Sequence, residues 1–451
     1  MTLRTYLRKL QERGDLLVIT EPISTQYEIA AVMKQLEPRP VLFENARDSA
    51  FRVVGNLFCT KEQFADYFGI QTAGIIPLMT GAIAAAPNRQ SSSPNLQSSP
   101  PCQEVVRPDP DLDALPILRH FPGDGGNYLT SGVAIIRHPE HGQNMDFHRG
   151  MQFSRREMAL RVVRGRHFHR YLEDLGEMDV AICVGNSPDI LAAAATSVAL
   201  GVDELSIAEA LAKSAGAAPP PLTRAKTVDL VIPAEAEFVI EGTVYRDRRH
   251  AEGPFVDLTE TQDVIREEPV MVVKAITHRR DALWQALLPG ALEHKLLMGM
   301  PREPTIFRAV QAAGVRCLDV NVNPGGCSWL HAIVQIDKQH KEDGKRAIYA
   351  AFEGHRSCKH VFVVDADVDI YDPLQVEWAL ATRFQGDRDL VMLPREPGSS
   401  LDPSAEPGTK LTRKIGFDLT APLGEDRRSY ERVPYPDVDL ERFVRDKTGR
   451  R

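Results

Sequence analysis

The spacing of hydrophobic and polar positions changes along this chain, and each change marks a boundary. Residues 2–14 set apolar against charged positions at helical spacing, which predicts an amphipathic opening helix. Val41-Leu-Phe-Glu-Asn and Arg52-Val-Val-Gly-Asn-Leu-Phe are apolar runs between turn formers and read as short strands, so the chain opens as an α/β region. From Ala84 to Pro101 the pattern dissolves into Ala-Ala-Ala-Pro-Asn-Arg-Gln-Ser-Ser-Ser-Pro and then Ser-Ser-Pro-Pro, which cannot bury a core and reads as a linker.

Closely spaced strands follow. They are predicted at Gly132-Val-Ala-Ile-Ile-Arg, Asn144-Met-Asp-Phe-His-Arg-Gly-Met-Gln-Phe, Met158-Ala-Leu-Arg-Val-Val, Val180-Ala-Ile-Cys-Val-Gly, Thr227-Val-Asp-Leu-Val-Ile and Phe238-Val-Ile-Glu-Gly. Helices interrupt them near His167–Leu175 and in the alanine-rich Asp189–Ala199, but strands dominate, which predicts a barrel-like β domain. Beyond Pro301 strands and helices alternate again: Ala332-Ile-Val-Gln-Ile, Lys359-His-Val-Phe-Val-Val-Asp365 and the amphipathic Leu374–Phe384. The charged, proline-containing stretch from Gly424 onward reads as a tail. The expected division is an N-terminal α/β region with its linker (1–105), a β-barrel domain (106–300), a C-terminal α/β domain (301–430) and a tail (431–451). There is no internal repeat.

Composition narrows the class. A chain of 451 residues, 43% hydrophobic and 26% charged, has the make-up of a globular protein of two or three domains. Its net charge of −8 disfavours nucleic-acid binding and suits a small-molecule enzyme. No apolar run approaches the roughly 20 residues of a membrane span. The six cysteines lie far apart with no CxxC pair, so neither a zinc site nor a disulfide framework is expected, and a cytoplasmic location is.

Three groups of residues could carry chemistry. The stretch Val239–Pro254 predicts a strand and a charged turn leading into Glu252-Gly-Pro-Phe-Val-Asp257. The Gly-Pro pair forbids regular helix and fixes the backbone between two carboxylates, as proton transfer requires, although a solvated acidic loop has the same composition. Arg149 is expected in a strand with Phe147, Met151 and Phe153 on its own face. On an apolar face it needs a carboxylate partner, which Glu252 or Asp257 could supply, unless it reaches solvent from an edge strand. Asn144, His167 and Glu204 combine an amide oxygen, an imidazole and a carboxylate, a mixture that a hard divalent cation such as Mn²⁺ or Mg²⁺ accepts. Each also has an ordinary reading as a turn, helix-surface or helix-start residue. Farther on, His294 and Arg302 are eight residues apart, with Pro301 expected to break the helix between them. They suit a carboxylate ligand or, equally, an ordinary helix terminus.

The order Asn144-x4-Arg149, His167, Asp-Glu204-Leu, Ala236-Glu-Phe-Val-Ile-Glu-Gly and Glu252-Gly-Pro-Phe-x-Asp257 resembles the UbiD family of reversible decarboxylases. So do Pro324-Gly-Gly-Cys-Ser-Trp329, Val363-Val-Asp-Ala-Asp-Val-Asp369 and Trp378-Ala-Leu-Ala-Thr-Arg383, and the similarity runs in order over nearly the whole chain. The resemblance implies an N-terminal α/β region, a split β-barrel binding prenylated FMN, and a C-terminal α/β domain that builds dimers or hexamers. It implies that a flavin prenyltransferase supplies the cofactor. By position, Asn144, His167 and Glu204 would ligate Mn²⁺ at the cofactor phosphate with K⁺ close by, while His148 and Lys414 would lie near the cofactor. Arg149, Glu252 and Asp257 would form the acid–base network, with Asp257 standing where many members carry glutamate. His294 and Arg302 resemble the pair of furan-dicarboxylate decarboxylases. The expected activity is therefore non-oxidative decarboxylation of a heteroaromatic acid, furan-2,5-dicarboxylate to 2-furoate and CO₂ above others. The alternatives are a phenolic or pyrrole acid as substrate, or a non-catalytic flavin-binding assembly protein, for which the Arg149–Glu252–Asp257 set would have no use.

Overall fold

The computed structural model describes residues 2–86 and 96–439. The centre of the expected linker, residues 87–95, and the end of the expected tail, residues 440–451, lie outside the described residues. The mixed α/β architecture expected from the sequence is present as three sheets with their helices, plus two short hairpins.

The opening helix Leu3–Arg13 is capped by Thr2 and buries Leu3, Tyr6, Leu7 and Leu10, the face its apolar spacing predicts. Beside it lies a four-stranded sheet in the order Leu17–Ile19, Val41–Phe43, Arg52–Gly55, Leu283–Gln285. The fourth strand comes from far along the chain and pairs in parallel with Arg52–Gly55, so the N-terminal layer is completed by residues expected to belong to the β-barrel.

The central sheet runs Asn127–Leu129, Gly150–Ser154, Glu157–Leu160, Arg266–His278, Phe238–Glu252, Glu177–Val184, Val133–His138, Gly142–Phe147, with Val105–Arg107 added beside Arg266–His278. Every pairing is antiparallel. Its topology dictates its shape. Gly142–Phe147 ends the sheet on one side and Gly150–Ser154 is second from the other end, yet only His148 and Arg149 join them. Six strand spacings would be about 29 Å if the sheet were flat, whereas a link this short reaches only about 10 Å. The sheet therefore curls until its ends approach, and His148 and Arg149 bridge the seam. This corrects the expectation that Arg149 lies within one continuous strand: it sits between two strands, and of Phe147, Met151 and Phe153 only Met151 is fully buried.

The charged turn expected before Glu252 is also corrected. Phe238–Glu252 is one 15-residue strand. Its register slips between Tyr245 and Arg249, leaving Arg246–Arg248 bulged outward where Arg249 faces Pro269. Proline has no N–H for the ladder, so this is where the pairing can yield.

Helices Ile75–Ala85, Pro188–Ala195, Glu204–Ser214 and Leu292–Gly299 pack together on the curled sheet and share its apolar core. No single helix among the described residues is long and apolar enough to cross a membrane. The C-terminal sheet has the order Cys317–Asn321, His331–Ile336, His360–Asp365, Leu411–Asp418, Leu390–Pro397, with its three middle strands parallel and Asp343–Gly354 and Pro373–Arg383 among its helices. The acidic run Val363–Asp369 and Arg383 meet there: Arg383 is fully buried and pairs with Asp365 at 3.2 Å and Asp367 at 2.5 Å.

Candidate active site

A cavity of about 330 Å³ opens where the seam of the curled sheet, the helices packed on it and the C-terminal domain meet. Asn144, His148, Arg149, His167, Glu204, Asp257, His294 and Arg302 all line it, so the fold collects most of the residues singled out in the sequence. Glu252 stands behind Arg149 rather than on the wall. Lys414 does not join them: in strand Leu411–Asp418 it is buried over the Phe352 ring and pairs with Glu396 at 2.7 Å.

Arg149 is the hub. Its Nε and Nη2 donate to the two oxygens of Glu252 at 2.9 and 3.0 Å, and its Nη1 donates to Asp257 Oδ2. Its guanidinium lies 4.4 Å from the centre of the Phe255 ring. Burial opposes its charge, but the surrounding carboxylates, Glu252 first, more than restore it and raise the arginine above its ordinary value. Glu252 ends its strand, Gly253 follows at φ 101°, and the hairpin Phe255–Val256/Gln262–Asp263 brings Asp257 back beneath the guanidinium. The Gly-Pro break thus turns two nearby acids onto one partner, as the sequence suggested.

The same hairpin delivers a residue that sequence reasoning missed. Asp263 Oδ2 lies 3.1 Å from Arg149 Nη2, and both Asp263 oxygens are also held by Arg266, at 2.5 and 2.7 Å. Burial pushes the Asp263 carboxyl up, but the Arg266 hydrogen bonds and the charges of Arg149 and Arg266 win and hold it at about 2. The only available signal was its place six residues after Asp257, on the paired arm of a hairpin too short to be recognised from pattern.

At another corner, Asn144 Oδ1 meets His167 Nδ1 at 2.9 Å, and Glu204 Oε2 accepts the Met145 backbone N–H at 2.9 Å. His167 opens helix His167–Leu175, and Glu204 opens the helix that Asp203 caps. Burial pushes Glu204 well above the carboxylate range and His167 below the usual histidine value. No cation pairs with Glu204 among the described residues, and the Asn144 Nδ2 amide is buried without a partner. A neutral imidazole, an amide and a buried acid lacking a counter-charge fit a hard divalent ion. No group of three His, Cys, Asp or Glu side chains among the described residues could hold a metal, and this set contributes only two of those types. Next to it, His148 has Nε2 3.0 Å from Asp146 and Nδ1 2.9 Å from the Arg161 carbonyl. Burial disfavours its protonation, but Asp146 outweighs that and raises it.

His294 and Arg302 reach the cavity from helix Leu292–Gly299 and from the 3₁₀ turn Met300–Arg302 that follows. Pro301 ends the regular helix as expected, and the chain coils on through the tighter turn. His294 Nδ1 accepts the Gly290 N–H at 3.0 Å, which leaves Nε2 as the donor of a neutral ring. Burial holds that ring below the ordinary histidine value, helped by Arg149 and Lys295 and opposed by Asp257. Arg302 lies over the Trp329 ring at 5.2 Å, and among the described residues its Nε has no partner and its one hydrogen bond is a 3.4 Å contact from Nη2 to the Ala195 carbonyl. Burial, reinforced by the charge of Arg166, pulls its guanidinium down to about 10. The pair expected to take a carboxylate is one cation and one neutral donor lining the same cavity.

Comparison with known proteins adds three findings. Family models match residues 7–79 (3-octaprenyl-4-hydroxybenzoate carboxy-lyase N-terminal domain), 95–292 (its Rift-related domain) and 295–419 (its C-terminal domain). The chain is 39% identical over 438 residues to the anhydromevalonate phosphate decarboxylase of Methanothermobacter thermautotrophicus, covering 96% of this chain and 99% of that one. It is 36% identical to the protein of the same description from Methanocaldococcus jannaschii, covering 93% and 97%. Among solved structures, the UbiD-class enzyme HmfF from Pelotomaculum thermopropionicum in complex with FMN superposes with a TM-score of 0.91 at 33% identity, over 98% of this chain and 100% of that one. An evolved dimeric form of HmfF in complex with prenylated FMN gives 0.87 at 31%, over 98% and 100%.

Proposed function

We propose, for a chain that belongs to the UbiD family and is a carboxy-lyase of the prenylated-FMN-dependent kind, that the substrate is a small unsaturated acid carrying a second anionic group, with anhydromevalonate phosphate as first candidate. The observation that carries this reading is Arg302, a desolvated guanidinium with no carboxylate partner among the described residues, in the cavity that Asp257 also lines. A buried charge without a counter-ion is costly, so a ligand anion would complete the site. The relatives named for a phosphorylated acid support a phosphate in that role. A second reading, furan-2,5-dicarboxylate, is favoured by the neutral Nε2 donor of His294 in the same cavity as Arg302, two groups that suit the flat carboxylate retained by a diacid.

Prenylated FMN would supply the ring that takes up the electron pair left when CO₂ departs, which no side chain can delocalise. The protein's own groups position the acid and move a proton. Asp257 is the better donor of the two candidates. It lines the cavity with its side chain 18% exposed, whereas Glu252 is fully buried with both oxygens engaged by Arg149. Glu252 then fixes the guanidinium that orients Asp257. Asn144, His167 and Glu204 would hold Mn²⁺, with K⁺ nearby, and His167→Ala is expected to lose bound manganese and flavin together in elemental and absorbance analysis. We also infer a cytoplasmic homo-oligomer, dimer or hexamer, supplied by a flavin prenyltransferase; the evolved dimeric form of HmfF supports the dimer alone.

The deciding experiment is CO₂ release from protein co-produced with a flavin prenyltransferase. Turnover of anhydromevalonate phosphate well above that of furan-2,5-dicarboxylate is expected. Preference for the furan diacid selects the second reading, and efficient turnover of acids without a second anion overturns both.

A further inference from the structure

The acid–arginine cluster is larger than three residues, and its charges do not balance. Glu252, Asp257 and Asp263 bring three carboxylates against the guanidinium groups of Arg149 and Arg266. The remaining neighbours do not restore neutrality: Arg161 is paired with Glu268, the buried Asp124 on the loop behind the hairpin is offset by Arg119, and burial keeps His120 neutral. From helix Leu292–Gly299, His294 is held toward its neutral form, and Lys295 is consumed by an ion pair with Glu260 at the hairpin tip. From strand Asn127–Leu129, Tyr128 brings an uncharged phenol beside Glu252. One excess negative charge in a desolvated site is removed most cheaply by a proton on a carboxylate.

The hydrogen bonds decide which carboxylate takes it. Both oxygens of Glu252 accept from Arg149, and both oxygens of Asp263 accept from Arg266, so protonating either would discard a two-pronged charge-assisted contact. Asp257 has a single bond from Arg149, its other oxygen taking only the Leu258 N–H at 2.7 Å. We propose that Asp263 and Arg266 form a positioning pair that places the cluster's exchangeable proton on Asp257. Asp263 occupies an Arg149 donor that Asp257 would otherwise share, and Arg266 keeps Asp263 from taking the proton itself. The pair lies on the hairpin that carries Asp257, so one short segment brings both the acid and the charge that loads it.

The inference rests on the decarboxylase reading only where activity is measured. In the holoenzyme, Asp263→Asn removes a negative charge, and the alkaline limb of the pH–rate profile should move down by about one pH unit. Arg266→Gln removes a positive charge and should move that limb up by about one unit, while Arg266→Lys should leave it near wild type and the double variant should return most of the way. Infrared titration of the protonated-carboxyl band, assigned by its loss in Asp257→Asn, should show the same opposite displacements without turnover. Displacements of the same sign, or none, overturn the proposal. Opposite displacements in the infrared without CO₂ release from any acid overturn the decarboxylase reading instead. Should Asp263→Asn fail to fold, Arg266→Gln against Arg266→Lys reads the same sign.

Discussion

Arg149 and Arg302 line one cavity, each resting on an aromatic ring, yet their surroundings are opposite. Arg149 has all its guanidinium nitrogens bonded to carboxylates of its own chain. Among the described residues Arg302 has one long contact to a carbonyl and no acid. Both are desolvated, and the difference lies in where the compensating charge comes from. An arginine satisfied internally is a fixed part that can orient acids and set their protonation. An arginine left bare is complete only when a ligand brings the anion. The two arginines therefore divide the work: one handles the proton, the other selects the acid.

The largest effect should come from the satisfied end. Glu252→Gln and Asp257→Asn are each expected to lower kcat by about 10²–10⁴-fold while flavin absorbance shows cofactor still bound. Near wild-type turnover in either removes that residue from the proton path. Next comes stability in denaturant. Arg149→Met strands several carboxylates and should cost about 3–5 kcal/mol, whereas Arg302→Met removes a charge that has no partner and should be neutral or slightly stabilising in the ligand-free protein. Equal losses would erase the contrast. Arg302→Ala should raise KM for the favoured substrate by roughly thirty-fold, about 2 kcal/mol for a lost charged hydrogen bond, with partial rescue by Arg302→Lys because the planar fork is gone.

The smallest and slowest to measure is the pH dependence of folding. Asp263 is held at about 2 against an ordinary 3.8, so its folded form keeps the charge that the unfolded chain loses first. The stabilisation is present above pH 4 and is lost as pH falls toward 2. Solvent screening at this half-buried site leaves about 1 kcal/mol of it. Acid titration of unfolding free energy should show Asp263→Asn flatter than wild type over that window.

Much of this was legible in the sequence because local chemistry carried it. The Glu252-Gly-Pro-Phe-Val-Asp257 stretch forces a bend wherever it occurs, and helices such as Leu3–Arg13 and His167–Leu175 announce themselves by spacing and length. What stayed hidden depended on tertiary closure. The sequence pattern places Arg149 in a strand because nothing local reveals that its neighbours pair at opposite ends of a curled sheet. Asp263 and Arg266 lie in a run dense with acids and bases, where only the hairpin register distinguishes them. The resemblance implies Lys414 near the cofactor, whereas its strand brings it to Glu396. The lack of an acid beside Arg302 among the described residues is a property of everything that fails to reach it, which no motif can encode.

The borrowed strand Leu283–Gln285 has a consequence for how the protein is made. Its partner Arg52–Gly55 leaves the ribosome early, but the strand that covers that edge follows only about 230 residues later. At ordinary elongation speeds of about 5–20 residues per second, the edge stays open for roughly 10–50 s. During that interval Val53 and Val54 sit beside an unpaired backbone ladder, the arrangement that recruits stray strands from other nascent chains. The N-terminal layer cannot finish folding ahead of the barrel, so a truncation ending before Leu283 should give an aggregating fragment rather than a small stable domain. For this chain the first region to be synthesised is among the last to be closed.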